Sequence, residues 1–392
     1  MGGPNKFSSF MFIAGEPSGD LLAAELVKSI KQAAPGNPTF FGAGGAKMAE
    51  AGVELAFDMT QHSVIGLWEA VKSYGKFSRL FNQLVRLAFD HRPDVIVCVD
   101  FSVFNHRFAH KIRWELEVRR ATHGNWKPKI VKYVSPQVWA SRPGRAKAMA
   151  KEFDLLLTLF PFEKGWYAER VPELKVEFVG HPIVGRHGNA EREIRDVELK
   201  RSDQAPTVLL LPGSRIGELK RHLPPMLGAL EKILSAKPDI RARMVLPNDS
   251  LAQLARSFSL PANVEIQIGR VEDALRQATV AIASTGTVTM ECAYFGVPTV
   301  ALYKTSWSTY QIGRRIIQVK FLAMPNLLAN ERVFPELIQH EATAANIARE
   351  TLDLLNNPAN RMAIRAKLAR IIESLGGPGA SGRAAKAVLD LA

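Results

Sequence analysis

Residues 9–32 read SFMFIAGEPSGDLLAAELVKSIKQ, and this stretch decides the fold. Ser9–Ala14 is a short apolar run, the pattern of a strand buried on both faces of a parallel sheet. Gly15-Glu16-Pro17-Ser18-Gly19-Asp20 follows as a loop, and Leu21–Gln32 then carries apolar residues at helical spacing. Strand, glycine loop and helix are the opening of a Rossmann-like unit. The alternation continues outward through apolar strands at Asp94–Val99 (DVIVCV), Lys129–Val134 and Leu155–Leu159. Gly185–Pro206 interrupts it with a polar, charge-dense stretch. The pattern then restarts with a strand at Thr207–Leu211, a turn at Pro212-Gly213-Ser214-Arg215 and a helix from Glu218. Arg243–Leu246, Val264–Ile268, Val280–Ala283 and Thr299–Leu302 are further strands, and the final stretch is mostly helical. The expected architecture is α/β: two Rossmann-like parallel-sheet domains, 1–184 and 207–379, facing across a cleft and joined by a linker at 185–206.

Composition narrows the classes. The 392 residues include 51 Lys+Arg against 38 Asp+Glu, a formal charge of +13, and 47% are hydrophobic, which excludes a disordered chain. Two distant cysteines, Cys98 and Cys292, exclude a disulfide scaffold and point to a reducing compartment. There is no export signal and no apolar run of ~18–20 residues. A cytoplasmic protein, soluble or bound to a membrane surface, is therefore expected. Between Phe101 and Lys151 the chain carries twelve Lys/Arg and two Glu. Such a field attracts nucleic acid, anionic lipid or a phosphorylated substrate, a plain basic surface being the alternative. With no recognition-helix or RNP-type motif, no nucleic-acid partner is expected.

In open parallel sheets ligands bind beyond the carboxyl ends of strands, so the chemistry is sought in the post-strand loops. Four stand out. In Ala14–Asp20 the glycines permit close backbone approach; Ser18 and Asp20 are candidate helix caps, but capping does not explain Glu16 at a strand end. Asp100 ends a buried strand, where Asp is disfavoured, and suits a general base or a turn residue. Leu211-Pro212-Gly213-Ser214-Arg215 suits a diphosphate, because Arg gives forked, charge-assisted hydrogen bonds. Ser284-Thr285-Gly286-Thr287 can present backbone amides to phosphate, with Glu291 about a turn further on to accept from ribose hydroxyls. No Walker A loop, no CxxC and no HExxH pattern is present; His106 and His110 alone do not make a metal site, and no metal or cofactor is expected. Val64–Phe89 is amphipathic, with Trp68, Val71, Phe77, Phe81, Leu84 and Leu87 as its apolar component and Lys72, Lys76, Arg79 and Arg86 as cationic rims. It reads as a helix lying in a membrane interface or as one packed on the sheet.

These loops, in this order, resemble the lipid-A-disaccharide synthases. The resemblance rests on AGEPSGD (14–20), SVIGLWE (63–69), Asp100 with Phe104-Asn105, VSPQVWA (134–140), FPFEK (160–164), GHP (180–182), LPGSR (211–215), STGTVTMEC (284–292) and MPNLLA (324–329). It implies a GT-B fold whose carboxy-terminal helix, here about 380–392, returns to the first domain. It also implies transfer of 2,3-diacylglucosamine from UDP-2,3-diacylglucosamine to 2,3-diacylglucosamine 1-phosphate (lipid X). The products are the β-1,6 tetraacyl disaccharide 1-phosphate and UDP, with inversion. Asp100, or Glu16, would be the base. Gly213, Ser214, Arg215, Ser284, Gly286, Thr287, Glu291 and Asn326 of the PN motif would hold the donor. Ser18, Trp68, Val71, Phe77, Phe81 and Arg142 would face the acceptor or the membrane, on the cytoplasmic face of the inner membrane. A homodimer is left open.

Two departures bear on this. Val103 stands where many members carry a second Asp, leaving Asp100 or Glu16 as base or the chain inactive, and Ser141 follows Ala140 where relatives often read VWAWR. The rival readings are a UDP-GlcNAc 2-epimerase, a peptidoglycan-precursor glycosyltransferase, and a catalytically dead membrane scaffold.

Overall fold

Six residues, Ser9–Ala14, form β1, and five of them are fully buried. The computed structural model describes residues 8–60, 74–118, 124–186 and 205–391. Around β1 a seven-stranded sheet is laid out in the order β3-β2-β1-β4-β5-β6-β7, every pair parallel. Its strands are β2 (Thr39–Gly44), β3 (Glu54–Asp58), β4 (Val95–Val99), β5 (Lys129–Tyr133), β6 (Leu155–Thr158) and β7 (Lys175–Phe178). A second sheet runs β10-β9-β8-β11-β12-β13, also all parallel. It comprises β8 (Thr207–Leu211), β9 (Arg241–Leu246), β10 (Val264–Ile268), β11 (Val280–Ser284), β12 (Thr299–Tyr303) and β13 (Glu336–Ile338).

The period of two along each strand sorts the first sheet's side chains into two cores. Phe10, Phe12, Val95, Val97, Leu155 and Leu157 lie on one face. Met11, Ile13, Ile96, Cys98, Ile130 and Leu156 lie on the other. Burial on both faces is why these strands read as continuous apolar runs.

The four strands absent from the sequence pattern have local causes. In β2 (TFFGAG), Gly42 is forced: a Cβ there would stand 1.9 Å from the Phe12 carbonyl oxygen, and the register with β3 shifts at this point. Glycines dilute the apolar signal. β3 and β7 are edge strands with exposed polar positions, and β13 has only three residues.

The chain divides into two compact units. Residues 1–182 and 375–392 make the first, and 183–374 the second. The helix Ala380–Leu389 packs on the helix Pro17–Ala33, adding Ala384, Ala385, Val388 and Leu389 to the first face's core. Both cysteines are buried free thiols, each pushed up to about 12 by burial. Among the described residues no helix is long and apolar enough to cross a membrane.

Candidate functional site

β1 and β4 are neighbours, with Ala14 opposite Val99, so the loops that follow them meet at one end of the sheet. A Cβ on Gly15 would come within 2.5 Å of the Phe101 ring, and one on Gly19 would lie 3.5 Å from the Asp100 Cβ. Gly15 thus lets the 15–20 loop close onto the tip of β4, while the contact at Gly19 is one an ordinary side chain could make. Glu16 is half-buried just before the helix Pro17–Ala33, and Ser18 is exposed in its first turn. Asp20 is turned elsewhere. Its buried carboxylate accepts from the backbone N–H groups of Gly45 (2.7 Å), Lys47 (3.0 Å) and Met48 (3.1 Å), capping the start of the neighbouring helix Ala46–Glu50. It ties the loops after β1 and β2 together and does not cap its own helix.

Asp100 and Phe101 both sit at positive φ, +44° and +43°. Left-handed backbone at non-glycine residues costs about 1–3 kcal/mol each and persists only where the surroundings impose it. Here the Asp100 N–H donates to the Tyr133 carbonyl (2.8 Å). The Asp100 carbonyl accepts from Asn105 Nδ2 (2.8 Å) and from Lys132 Nζ, and Asn105 Nδ2 also reaches the Val99 carbonyl (3.1 Å). The resulting elbow carries Asp100 at the strand tip and opens the helix Ser102–Val118, on which Val103 is exposed. Lys132 is fully buried in β5, and its pKa is pushed down to about 8, chiefly by burial, against the pull of Asp100 and Cys98. A lysine in an apolar strand is a visible sequence signal, although the basic field between 101 and 151 masked it as one more surface cation. That expectation is corrected for Lys132. It is also reduced for Arg113 and Lys111, which pair with Asp154 (2.6 Å) and Glu115 (2.9 Å).

The 134–140 and 160–164 stretches come together. Trp139 Nε1 donates to Glu163 Oε1 (3.0 Å), the Phe160 N–H to Glu163 Oε2 (3.1 Å), and Ser135 Oγ lies 3.0 Å from the Tyr167 hydroxyl. Burial pushes Glu163 up to about 7, against the hydrogen bonds to its charged form. Arg142 is exposed just beyond the helix Val138–Ser141. His106 and His110 both turn to Glu152: His106 Nδ1 pairs with Oε2, and His110 Nδ1 is 3.7 Å from Oε1.

The amphipathic stretch is described only from residue 74; Trp68, Val71 and the Phe77 side chain lie outside the described residues. On the helix Tyr74–His91, Leu84, Val85 and Ala88 are buried in the second face's core, and Phe81 is half-buried edge-on to Phe104 (ring centroids 5.4 Å) and Phe108 (6.2 Å). Of the two readings open for this stretch, Leu84 follows the one packed on the sheet. That arrangement leaves Phe81 packed by its own domain rather than lying in a free apolar stripe.

In the second unit the loop after β8 carries Gly213 at φ +121°, Ser214 and Arg215. Glu218 folds back over it, accepting the Ser214 N–H (2.9 Å) and pairing with the exposed Arg215 guanidinium (3.4 Å). His222 is buried behind the loop, with Nδ1 2.8 Å from the Pro212 carbonyl and Nε2 accepting the Lys304 N–H (3.1 Å). Nε2 also lies 3.2 Å from the Lys304 carbonyl, so the ring meets both backbone groups of that residue. The pKa of His222 is lowered, first by desolvation. The loop after β11 places Ser284 inside, and Gly286 and Thr287 outside, at the start of the helix Thr287–Tyr294. Glu291, one turn on, is pushed up to about 7 by burial and then by Glu272, while Arg186 pulls it down. Asn326 is fully buried and its amide is fully occupied. Nδ2 donates to the Phe334 carbonyl and Glu336 Oε1 (both 2.8 Å), and Oδ1 accepts from Val333 (2.9 Å) and Phe334 (2.7 Å). These bonds shape the loop after the helix Met324–Ala329. Sequence reasoning missed Lys132, Glu163, Glu218 and His222. Each is isolated in sequence from the loop it supports, except Glu218, which lies three residues past Arg215.

Two parallel sheets of these strand orders in one chain define the GT-B class. The fold is similar to that of a putative UDP-N-acetylglucosamine 2-epimerase from Listeria monocytogenes (TM-score 0.62, 12% identity, 98% of this chain and 95% of that one). It is also similar to the calicheamicin glycosyltransferase CalG4 (TM-score 0.60, 15% identity, 98% and 99%). The chain belongs to the lipid-A-disaccharide synthetase family of glycosyltransferases, whose family model matches residues 10–390. It is 37% identical to the lipid-A-disaccharide synthase of Geobacter sulfurreducens over 394 residues, covering 99% of this chain and 98% of that protein. It is 35% identical to that of Myxococcus xanthus over 384 residues, covering 97% of each.

Proposed function

We propose that the protein transfers 2,3-diacylglucosamine from UDP-2,3-diacylglucosamine to the 6-hydroxyl of lipid X, inverting the donor's anomeric centre and releasing UDP. The observation that carries this reading is Asp100, raised on a strained strand-end elbow beside the 15–20 loop, in a chain that matches the family over residues 10–390. Inversion in a single displacement needs a base at the acceptor hydroxyl, worth about 10²–10⁴-fold in rate, and Asp100 takes that role. Glu16, on the adjoining loop, orients the acceptor. The leaving diphosphate needs charge stabilisation, which Arg215, the Gly213–Ser214 backbone and the amides at Gly286–Thr287 supply. Donor entry then draws Arg215 away from Glu218. Glu291 accepts from the ribose hydroxyls, and Ser284 supports the loop from within.

The acceptor is an acylated phosphate, so the protein works at the cytoplasmic face of the inner membrane. Exposed Arg142, with Arg145, Lys147 and Lys151 nearby in sequence, meets lipid phosphates, while Trp68, Val71, Phe77 and the exposed part of Phe81 meet acyl chains. Ser18 faces the acceptor sugar.

The test is UDP release from UDP-2,3-diacylglucosamine with and without lipid X, with the product identified by mass. Acceptor-dependent release and a tetraacyl disaccharide 1-phosphate are expected. Acceptor-independent turnover of UDP-GlcNAc would move the assignment to an epimerase.

A further inference from the structure

Lys132 is a charge in the wrong place for stability. Its register partners on β4 and β6, Cys98 and Leu156, line the same apolar core, and the side chain is fully buried. Taking an ammonium out of water costs several kcal/mol unless it is well paired. Among the described residues its amine has one hydrogen-bond partner, the Asp100 carbonyl oxygen, at the first of the two left-handed residues of the elbow. A neutral donor, Asn105 Nδ2, already serves that oxygen. The chain therefore places a second, charged donor on one backbone atom, and charge-assisted bonds are roughly twice as strong as neutral ones.

We propose that Lys132 is a positioning residue for the transfer reaction: its buried ammonium holds the Asp100 carbonyl and so fixes the strained elbow that aims the Asp100 carboxylate at the acceptor hydroxyl. This rests on Asp100 being the base. The titratable groups around Lys132 are Asp100 and Cys98, with Glu152 beyond Cys98 and His106 and His110 paired to Glu152. Lys132 is held down to about 8 by burial, so the ammonium is present below that pH and lost above it. The elbow loosens as it goes.

The experiment uses the full chain with both acylated substrates. Lys132→Met should lower kcat about 10²-fold, the scale of a small misplacement of a reacting group. The KM for the donor and the affinity for UDP should hold, and Tm should be unchanged or higher, because an apolar side chain replaces a buried charge. Wild-type kcat should fall above about pH 8, and Lys132→Met should lose that fall. Asn105→Ala, which removes the neutral donor to the Asp100 and Val99 carbonyls but keeps the ammonium, should keep it. If Lys132→Met does not fold, Lys132→Arg decides: it should retain kcat and carry the fall beyond about pH 10, since an arginine stays protonated there.

Wild-type kcat in Lys132→Met, or an unmoved alkaline fall in Lys132→Met or Lys132→Arg, overturns the proposal. Asp100→Asn, measured alongside, separates the two readings. An inactive Asp100→Asn with a fully active Lys132→Met leaves the base standing and removes Lys132. An active Asp100→Asn removes the base and the role of Lys132 with it.

Discussion

The indole N–H of Trp139 donates to the buried carboxylate of Glu163 at 3.0 Å, and the Phe160 N–H takes the second carboxylate oxygen at 3.1 Å. One glutamate thereby fastens the 134–140 loop to the start of the helix Pro161–Ala168. Because burial raises its pKa to about 7, the stability it contributes is fully present below the ordinary carboxylate value and is lost as pH rises through about 7. Glu163→Gln should flatten that part of the Tm–pH curve between about pH 4.5 and 7. Glu163→Ala should lower stability by about 1–3 kcal/mol, since it strands two donors. Thermal melts at pH 5 and pH 8 check both; a Glu163→Gln curve parallel to wild type counts against the linkage. Glu291, raised for the same leading reason, continues to contribute in the same direction in either variant.

Asp100 occupies a left-handed position, so the informative substitution is Asp100→Asn, which keeps a residue tolerant of that backbone. Turnover should fall about 10²–10⁴-fold while UDP binding is retained. Steady-state kinetics and UDP titration calorimetry together check this, and a variant that turns over normally removes Asp100 from the chemistry.

Among the described residues the exposed Arg215 is held only by Glu218 across 3.4 Å, so it is available to an incoming diphosphate. Arg215→Ala should weaken UDP binding by about 1.5–3 kcal/mol, the worth of a charged hydrogen bond, and lower turnover with it. Glu218→Gln should move UDP affinity the other way, because it removes the negative charge that competes for the guanidinium. Affinities of both variants, measured at one salt concentration, test the pair.

His222 links the Pro212 carbonyl to the Lys304 backbone in its neutral form. Its lowered pKa means that its contribution is present above the ordinary imidazole value and is lost as pH falls through the lower folded value. His222→Ala should cost about 1–3 kcal/mol by removing the partner of the buried Pro212 carbonyl and of the half-buried Lys304 N–H, and should weaken UDP binding through the loop ahead of Ser214. Melting curves down to pH 5 should show a shallower acid loss than wild type.

Much of this was legible in the residues. β1, β4, β6, β8, β11 and β12 announce themselves because burial on both faces leaves apolar runs, whereas β10 (VEIQI), at a sheet edge, shows as apolar–polar alternation. β2 does not announce itself, because Gly42 yields to the Phe12 backbone. Asp100 and Arg215 were visible as polar residues at strand ends. Asn326 was visible too, but not that its amide bonds Val333, Phe334 and, on β13, Glu336. Lys132 and His222 stayed hidden because a buried cation and a buried imidazole derive their meaning from partners 32 and 82 residues away.

The helix Ala380–Leu389 completes the core beside Pro17–Ala33, with the whole of 183–374 intervening in the chain. During vectorial synthesis most of the first unit therefore emerges before 183–374 but cannot close its hydrophobic layer until residues 380–389 have followed. The second unit, contiguous in sequence, is free to fold while the first waits for the helix that packs on Pro17–Ala33. A premature stop before residue 380 would thus leave an intact second unit tethered to an aggregation-prone first one, and quality control at the ribosome, more than the active site, would decide the fate of such a product.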